Sequence, residues 1–415
     1  MAKETNTAPI IILGAGHAGM SVGVNLRARG HQGRILLIEA DTALPYERPP
    51  LSKEMLKPGG SPEPVAIRRE QYLNDKGLEL VRGARAVGIN REASAVELSD
   101  GTRQPYSRLV IATGSSPRRL TLPGADLPGI LMLKTLADAR ALRESLRPWQ
   151  QVVVIGAGYI GLEVAAAASA LGATVTVLEF QDRIMSRVTS EPVSRHFESV
   201  HREHGVRFAF GAGVASFEGT DRVTHVVASD DTRYPADLVV AGIGVIPNES
   251  LAIDAGLECA DGILVDHSCR TSDPLILAAG DVTRFAAQFD GVSQRLECLQ
   301  NAQAQADRVA AEITGQQPAD PEVPWFWTVQ HGVRLQTAGV RNPEDRVVVR
   351  GNPQDGKFSV AYLREGRLAA LDSIGGLSDF RAAKKLIADR ALIDPTLLAD
   401  PNLPLADSAL VAAAA

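Results

Sequence analysis

Residues 10–39, IIILGAGHAGMSVGVNLRARGHQGRILLIE, decide the fold of this chain. An apolar strand leads into the turn Gly14-Ala15-Gly16-His17-Ala18-Gly19, which precedes a predicted helix over 20–29 and a strand over 35–38 that ends at Glu39. Glycines let a backbone turn sharply and approach a pyrophosphate, the helix N-terminus offers N–H donors to it, and the acid accepts from a ribose hydroxyl. The flanking strand, helix and acid favour a dinucleotide site over a structural turn in an ordinary α/β unit.

The same pattern starts again in the middle of the chain. A strand over 152–155 runs into Gly156-Ala157-Gly158-Tyr159-Ile160-Gly161, a predicted helix over 162–171 and a strand over 174–178 that ends at Glu179. We call residues 10–39 and 152–179 the first and second fingerprints. Two fingerprints predict two bound dinucleotides with electron transfer between them; the alternative is a duplicated module that binds one ligand.

Glu179 indicates which nicotinamide dinucleotide the second fingerprint prefers. Its carboxylate would accept from the free 2′-hydroxyl of NADH and would repel the 2′-phosphate of NADPH, so NADH is favoured. Arg183 and Arg187 lie just beyond it and offer positive charge to a phosphate.

Composition sets the class of protein. The chain has 415 residues, 45% of them apolar and 22% charged, which predicts two or three globular domains. The net charge of -6 and the lack of a basic stripe give no reason to expect nucleic acid, and no apolar run is long enough for a membrane span. The first residues show no export or import signal, and the three cysteines, at 259, 269 and 298, form no C-x-x-C or C-x4-C pair. We therefore expect a cytoplasmic protein, monomeric, with no disulfide framework and no metal site.

Other segments repeat the theme of a strand that ends at glycine. Ala112-Thr113-Gly114 closes one such strand, the apolar run over 238–245 contains Gly244, and a run over 275–279 ends at Gly280 and Asp281. A buried acid needs a partner, which the ribityl hydroxyls of a flavin would provide; alternatively, Asp281 caps the following helix.

Two further segments can be interpreted in more than one way. The proline-dense loop over 45–53 leads into a predicted helix start, where Ser52 is a possible cap for a helix whose first turn holds Lys53, although a stiff connector is an equal possibility. After a polar linker over 315–324, Trp325 and Trp327 open an α+β segment with predicted strands and a helix over 379–389. These aromatics are either core or a wall over a cofactor.

Taken together, the motifs resemble the FAD-dependent NADH:ferredoxin reductases of bacterial oxygenase systems, in the pyridine nucleotide-disulfide oxidoreductase superfamily. The resemblance covers nearly the whole chain and rests on these segments: Arg48-Pro49-Pro50-Leu51-Ser52-Lys53, Ala112-Thr113-Gly114, 133–138, 156–163, 278–281, 295–302 and Pro324-Trp325-Phe326-Trp327.

The resemblance implies an α/β fold with two Rossmann-like domains and a C-terminal α+β domain. It places a discontinuous FAD domain at 1–117 and 248–323, an NAD domain at 118–247 and the reductase domain at 324–415. It also implies electron transfer from NADH through FAD to a 2Fe-2S ferredoxin that feeds a monooxygenase or dioxygenase.

The candidate site residues follow from the two fingerprints and from the resemblance. The resemblance implies that Lys53 stabilises negative charge on the reduced flavin and that Glu163 pairs with it; the alternative for Glu163 is a capping acid in the first helical turn. Tyr159 is either an aromatic gate over the nicotinamide or a packing residue. The candidate cofactor-binding residues are Gly14, Ala15, Gly16, Gly19, Glu39, Arg48, Lys53, Ala86, Ala112, Thr113, Gly114, Lys134, Gly156, Gly158, Tyr159, Ile160, Gly161, Glu179, Gly244, Gly280, Asp281, Leu299 and Trp327.

The chain departs from the family pattern after Trp327, where a serine, an acid and a glutamine are common and Thr328-Val329-Gln330 stands here. Both this departure and a second at 373–378 lie in the C-terminal segment that would help to dock ferredoxin. Arg308, Arg334, Arg341, Lys384 and Lys385 are candidates for a basic docking face.

Three other flavoprotein classes share the two modules. Flavin disulfide reductases need a cysteine pair near the flavin, and NADH oxidases and peroxidases use a single redox cysteine, but residues 1–258 contain no cysteine. A flavoprotein of the apoptosis-inducing-factor type would have another acceptor.

Overall fold

The computed structural model describes residues 8–289, 292–320 and 322–410. The chain forms two compact units. Unit 1 comprises Met1–Glu47, Val65–Ser116 and Val245–Glu322, and unit 2 comprises Arg48–Pro64, Pro117–Gly244 and Val323–Ala415. The domain boundaries that the sequence suggests at 117, 247 and 323 stay a prediction.

The strands, in chain order, are β1 (Ile10–Leu13), β2 (Ile35–Glu39), β3 (Leu78–Arg82), β4 (Ala86–Asn90), β5 (Ala95–Leu98), β6 (Arg103–Pro105), β7 (Arg108–Ile111), β8 (Ser115–Pro117), β9 (Ile130–Leu131), β10 (Gln151–Ile155), β11 (Thr174–Glu179), β12 (Arg207–Phe210), β13 (Val214–Gly219), β14 (Val223–Ala228), β15 (Arg233–Pro235), β16 (Leu238–Ala241), β17 (Val245–Pro247), β18 (Ile263–Val265), β19 (Ile276–Ala278), β20 (Thr283–Phe289), β21 (Val292–Gln294), β22 (Trp325–Gln330), β23 (Val333–Gly339), β24 (Arg346–Asn352), β25 (Lys357–Arg364) and β26 (Arg367–Ile374).

The α-helices are α1 (His17–Ala28), α2 (Glu70–Asp75), α3 (Leu136–Ser145), α4 (Tyr159–Ala170), α5 (Glu191–Glu203), α6 (Ser250–Asp254), α7 (Leu299–Thr314), α8 (Leu377–Ala388) and α9 (Pro395–Ala399). Short 3-10 helices cover Pro49–Ser52, Pro353–Asp355 and Leu405–Ser408. Within the described part of the chain, no helix is both long and apolar enough to cross a bilayer.

Unit 1 is organised on a parallel sheet in the order β19-β7-β1-β2-β3. The central strand β1 is buried along its whole length, as expected for a parallel strand covered on both faces. Although β19 is far along the chain, it pairs in parallel with β7, with Leu277 opposite Val110. The carboxyl ends of β1, β7 and β19 therefore meet at one edge, where Gly14, Ala112 and Ala279 follow.

Unit 2 contains a second parallel sheet, in the order β12-β11-β10-β16-β9, and a five-stranded antiparallel sheet, β22-β23-β26-β25-β24. Helix α8 packs against the antiparallel sheet through Phe380, Ala383 and Leu386. The predicted α/β fold class, with an α+β C-terminal segment, is confirmed.

Two predicted helices and one predicted strand differ from the structure. The predicted helices over 20–29 and 162–171 begin three residues too late, because α1 and α4 start inside the glycine turns, with Gly16 and Gly158 as N-caps. The apolar run over 238–245 is not one strand, since Gly244, with φ of +98°, separates β16 from β17.

Candidate functional site

Backbone contacts hold the glycine turn of the first fingerprint and leave no room for a side chain at Gly14 or Gly19. Gly14 has φ of +94°, and a Cβ there would lie 2.3 Å from the carbonyl oxygen of Ala112. A Cβ on Gly19 would lie 1.9 Å from the carbonyl oxygen of Gly14, so α1 begins directly against the turn. In contrast, a Cβ on Gly16 would meet no described atom within 4 Å, which leaves that side of the turn open to a ligand.

The acid at the end of β2 closes this turn. Glu39 Oε2 accepts from the N–H of Ala15 at 2.6 Å, and Oε1 accepts from the N–H of Asp41 at 3.1 Å. A carboxylate oxygen accepts more than one hydrogen bond, so Glu39 can still accept from a ribose hydroxyl. No described side chain caps α1 at Gly16, and this helix start therefore fits a pyrophosphate.

The second fingerprint repeats the first contact by contact. Gly156 also has φ of +94°, and a Cβ there would lie 2.5 Å from the carbonyl oxygen of Gly242. A Cβ on Gly161 would lie 2.1 Å from the carbonyl oxygen of Gly156. Glu179 Oε2 accepts from the N–H of Ala157 at 2.7 Å, and Oε1 accepts from the N–H of Gln181 at 2.9 Å. The second turn therefore fits a dinucleotide by the same geometry.

The arginines beyond Glu179 differ in their contacts. Arg183 donates from Nη1 to Ser194 Oγ of α5 at 2.6 Å and from Nη2 to the carbonyl oxygen of Ser186 in its own loop at 2.9 Å, so its guanidinium is already engaged. Arg187 is exposed, and its Nη2 lies 3.9 Å from where a Cβ on Gly244 would be. The contacts of Arg183 support the preference for NADH, which stays a prediction.

Within unit 1, β19 brings Asp281 to the edge that carries the first fingerprint. Gly280, with φ of +87°, lies so close to the start of α1 that a Cβ there would be 2.9 Å from Ala18 Cβ. Asp281 Oδ2 accepts from Ser115 Oγ at 3.0 Å. Because strand β20 follows, the alternative in which Asp281 caps a helix is wrong.

Thr113 is held at the same edge by a residue that the sequence did not single out. Asn248 Nδ2 donates to the carbonyl oxygen of Thr113 at 2.8 Å, and Thr113 Oγ1 donates to the carbonyl oxygen of Asn248 at 3.0 Å. Thr113 and Gly114 are thus fixed next to Gly14 through side-chain bonds that a local pattern does not reveal.

Within unit 2, Lys53 and Glu163 form a buried ion pair. Lys53 Nζ lies 2.7 Å from Glu163 Oε1, and the side chains are 19% and 1% exposed. Thr328 Oγ1 also donates to Oε1, at 2.6 Å, and Ser52 Oγ donates to Oε2. One ammonium and two hydroxyls therefore compensate the buried carboxylate.

This site corrects two expectations from the sequence. Ser52 does not cap a helix; it ends the 3-10 helix Pro49–Ser52 and bonds to Glu163 instead. Glu163 is the fifth residue of α4, beyond the first turn, and its carboxylate is bonded to side chains, so its interpretation as a first-turn capping acid is wrong.

The aromatic residues of unit 2 meet beside the second fingerprint. Tyr159 packs on Phe326 with ring centroids 4.6 Å apart, and Trp325 lies 5.6 Å from Trp327. Burial and the nearby Asp372 carboxylate raise the pKa of Tyr159, whose phenol stays protonated. A packing role is thus supported by contacts, and a gating role stays a prediction.

The remaining candidates fall in both units. In unit 2, Arg48 Nη1 donates to the carbonyl oxygen of Lys134 at 2.6 Å, so these two predicted contacts lie together. In unit 1, Ala86 begins β4 and Leu299 begins α7. The roles of all these residues in cofactor binding stay predictions.

The three thiols are poorly suited to redox chemistry. Burial raises the pKa of Cys269 to about 12, and burial together with Glu249 raises that of Cys259 to about 11. Burial also raises the pKa of Cys298. A protonated thiol is a weak nucleophile, so these residues do not support a disulfide-reductase mechanism.

The fold and the two fingerprints define an α/β oxidoreductase that binds two dinucleotides. Residues 8–306 match the family described as pyridine nucleotide-disulphide oxidoreductase, and residues 325–409 match the family described as Reductase C-terminal.

Relatives and solved structures are more specific. The chain is 41% identical to putidaredoxin reductase CamA of Pseudomonas putida over 98% of this chain and 97% of the relative. It is 42% identical to a ferredoxin–NAD(P)+ reductase of a Sphingomonas species over 95% and 96%. The crystal structure of a covalent putidaredoxin reductase–putidaredoxin complex matches with a TM-score of 0.93 and 40% identity, over 96% and 97% of the two chains. The chain therefore belongs to the pyridine nucleotide-disulphide oxidoreductase family and, within it, to the ferredoxin reductases of oxygenase systems, which confirms the resemblance.

Proposed function

We propose that this chain is an FAD-containing NADH:ferredoxin reductase that serves a bacterial oxygenase. The net reaction converts NADH and two oxidised 2Fe-2S ferredoxins into NAD+, two reduced ferredoxins and one proton. The observation that carries the proposal is the pair of fingerprints with matching glycine contacts. In each fingerprint the acid that ends the second strand, Glu39 or Glu179, accepts from the N–H of the alanine in the turn, and we call this contact the acid clamp. One such site suits FAD and the other NADH.

Bound FAD supplies the conversion of an electron pair from NADH into single electrons for an iron-sulfur protein. The chain contributes binding and electrostatics. Gly14, Gly16 and Glu39 would hold one dinucleotide, and Gly156, Gly158 and Glu179 the other. Asp281, fixed by Ser115, would accept from a polyol hydroxyl.

Lys53 and Glu163 carry the electrostatic part of the mechanism. The Lys53 ammonium would stabilise negative charge that arrives with the hydride. Glu163 holds this ammonium at 2.7 Å, while Ser52 and Thr328 fix the carboxylate. The pair serves positioning more than stability, because burying two charges costs about as much as their attraction returns.

A simple experiment tests this function. The purified protein is expected to be yellow, to bleach when NADH is added without oxygen, and to reduce cytochrome c quickly only when a 2Fe-2S ferredoxin is present. Protein without flavin, or a yellow colour that survives anaerobic NADH, would refute the proposal. Fast NADH consumption with oxygen alone would instead favour an NADH oxidase, and slow turnover with every ferredoxin would favour a flavoprotein of the apoptosis-inducing-factor type.

Docking of an acidic ferredoxin is expected to use exposed basic side chains. Among the five candidates, Arg334 and Lys385 are exposed, whereas Arg341 lies over the Tyr362 ring and Lys384 over the Trp325 ring. Cytochrome c reduction through ferredoxin should slow as the salt concentration is raised. A rate independent of ionic strength would contradict docking on a basic face. A cytoplasmic location and a monomeric state complete the proposal.

A further inference from the structure

A line of buried polar side chains extends from the Lys53–Glu163 pair towards the surface of unit 2. It passes from Glu163 through Thr328, Gln330 and His201 to His331, and we call these five residues the Glu163 network. Thr328, Gln330 and His201 are each no more than 1% exposed. Buried polar groups at three consecutive points need a reason, since an apolar core would avoid the desolvation cost.

The network is continuous. Thr328 Oγ1 lies 2.6 Å from Glu163 Oε1, and Gln330 Nε2 lies 3.3 Å from Thr328 Oγ1. Gln330 Oε1 lies 2.9 Å from His201 Nε2, and His201 Nδ1 lies 3.2 Å from His331 Nε2. Four successive hydrogen bonds therefore connect the ion pair to the histidines.

Secondary structure places these residues in line. Thr328 and Gln330 are two residues apart on β22, so both side chains point to the same face of the strand. Val329 points to the opposite face and takes no part in this line of side chains. His201 lies in the last turn of α5, and His331 lies in the turn between β22 and β23.

The charge on Glu163 fixes the direction of every bond. A carboxylate only accepts, so Thr328 must donate to it and has lone pairs left for the Gln330 amide nitrogen. The Gln330 carbonyl then faces His201, which must carry its proton on Nε2, and His201 Nδ1 accepts from His331 Nε2. One anion thus sets an amide orientation and two histidine tautomers.

The environment of the two histidines suits this arrangement. Burial lowers the pKa of His201 to about 4, and burial with the neighbouring His201 and His204 lowers that of His331 to about 3. Both rings are therefore neutral at neutral pH, as an acceptor at His201 Nδ1 requires. The His204 ring stacks on His331 with centroids 4.0 Å apart and packs its outer side.

The turn residue His331 is in a backbone conformation that favours glycine. His331 has φ of +48° and Gly332 has φ of +81°, the two positive values of a type I′ hairpin turn. Glycine or asparagine would fit the first position with less strain. A histidine there is explained if its side chain is needed, and its contacts are with His201 and His204.

We propose that Gln330 and His201 are positioning residues for hydride transfer, because the Glu163 network locks the Glu163 carboxylate in the orientation that holds Lys53. This inference rests on the proposed function of the Lys53–Glu163 pair. Without Gln330 and His201, the Thr328 hydroxyl keeps its bond to Glu163 but loses the donor that fixes its orientation, so the carboxylate holds the ammonium less tightly in place. No proton needs to pass along the network, since its role is geometric.

The tautomer of His201 gives the first test, on the oxidised FAD-loaded wild type without NADH. In a sample with 15N-labelled histidine, the proposal predicts a proton on Nε2 and a bare Nδ1 for His201, identified by the signal that His201→Gln removes. Glu163→Gln should loosen this preference, because an amide can donate as well as accept. A proton on Nδ1 in the wild type would overturn the inference.

The second test measures flavin reduction by NADH in stopped flow. We expect Glu163→Gln to slow it about 100-fold, and Gln330→Leu or His201→Phe to slow it about tenfold. On the Glu163→Gln background the other two changes should add no further slowing, since they act through Glu163. His201→Gln, which keeps a donor towards Gln330, should stay within about twofold of the wild type.

His196→Phe is the matched control, because His196 lies on the same helix, packs on Phe197 and Phe358, and has no bond to the network among the described contacts. Equal rates for His201→Phe, Gln330→Leu and His196→Phe would refute the positioning role. Full additivity with Glu163→Gln would show a merely structural effect and would also refute it. If Glu163→Gln itself leaves the rate unchanged, the proposed role of the ion pair fails instead.

Discussion

Gly14 and Gly156 have the same φ of +94°, and their neighbours repeat the same close contacts, yet the two fingerprints differ one turn further along their helices. The fifth residue of α1 is Ser21, which is half-buried, whereas the fifth residue of α4 is Glu163, buried and paired with Lys53. In the proposed function, the backbone of the turn would provide binding, and one side chain beyond it would serve the chemistry. A duplicated module can acquire a second task without altering its ligand-binding geometry.

The largest expected effect comes from a side chain at the first glycine of each fingerprint. Gly14→Val and Gly156→Val would each place a Cβ within 2.5 Å of a backbone carbonyl oxygen at a φ that strains any other residue. If the two sites bind different dinucleotides, Gly14→Val should yield protein without flavin. Gly156→Val should stay yellow and fail to bleach with NADH.

The flavin content of each purified variant, and its bleaching by NADH, are measured by visible absorbance. Thermal melting confirms that each variant is folded. The opposite pattern, with flavin lost only from Gly156→Val, would show that the second fingerprint binds FAD and the first binds NADH. Flavin retained in both variants would contradict the comparison altogether.

A smaller effect concerns Asp372, a buried carboxyl group that lies near Tyr159 of the second fingerprint. Asp372 accepts from Tyr362 at 2.5 Å and from Thr337 at 2.7 Å, and burial raises its pKa to about 6. Between about pH 4 and pH 6, the folded protein therefore keeps the Asp372 proton, which the unfolded chain, where the pKa of this group is 3.8, has released. The higher pKa of Asp372 stabilises the folded state fully below about pH 4, and this stabilisation is lost as pH rises through about 6. The loss amounts to about 3 kcal/mol in the free energy of unfolding.

Asp372→Asn should remove this dependence, so the difference in unfolding free energy between wild type and variant should change in the variant's favour between pH 4 and pH 6. Denaturant titrations at several pH values measure it. Histidines such as His201 act in the opposite direction over the same range, but they are common to both proteins and cancel in the difference. Parallel stability profiles would show that Asp372 does not titrate there.

The smallest expected effect concerns nucleotide selectivity and compares Glu179 with Glu39. Glu179→Gln removes the charge that repels a 2′-phosphate but keeps an amide oxygen for Ala157, so the ratio of NADH to NADPH efficiency should fall about tenfold. Glu39→Gln is the matched control at the first fingerprint and should leave that ratio unchanged. Steady-state kinetics with both nucleotides decide between these outcomes, and an unchanged ratio in both variants would mean that Glu179 does not select the cofactor.

Local patterns in the sequence predicted the parts of this protein that depend on local physics. Gly14 and Gly19 stand where a Cβ would clash with a backbone carbonyl, and buried parallel strands such as β1 and β10 require unbroken apolar runs, so both features can be recognised in the sequence. The sequence predicts the starts of α1 and α4 three residues too late. Helix N-termini are usually recognised by a capping side chain, but Gly16 and Gly158 have none, and these helix starts suit a ligand instead.

The site was predicted less completely, because its contacts join distant segments. Only the family resemblance predicts that Lys53 and Glu163 pair, and the residues around Ser52 favour neither a helix cap nor a stiff connector. Asn248 was noted only as a boundary, although it holds Thr113 by two bonds. Thr328 departs from the family pattern and Gln330 matches it, and neither fact predicts a contact with Glu163.

The sequence by itself determined that this chain has two dinucleotide-binding turns, each with its acid, because glycine content and hydrophobic period act within a few residues. Only the tertiary structure decided which buried polar groups meet Glu163. Those partners come from residues 52, 53 and 328, which approach it from other segments of unit 2. The pairing depends on how strand β22, helix α4 and the loop before residue 53 pack, and no local rule encodes such long-range packing.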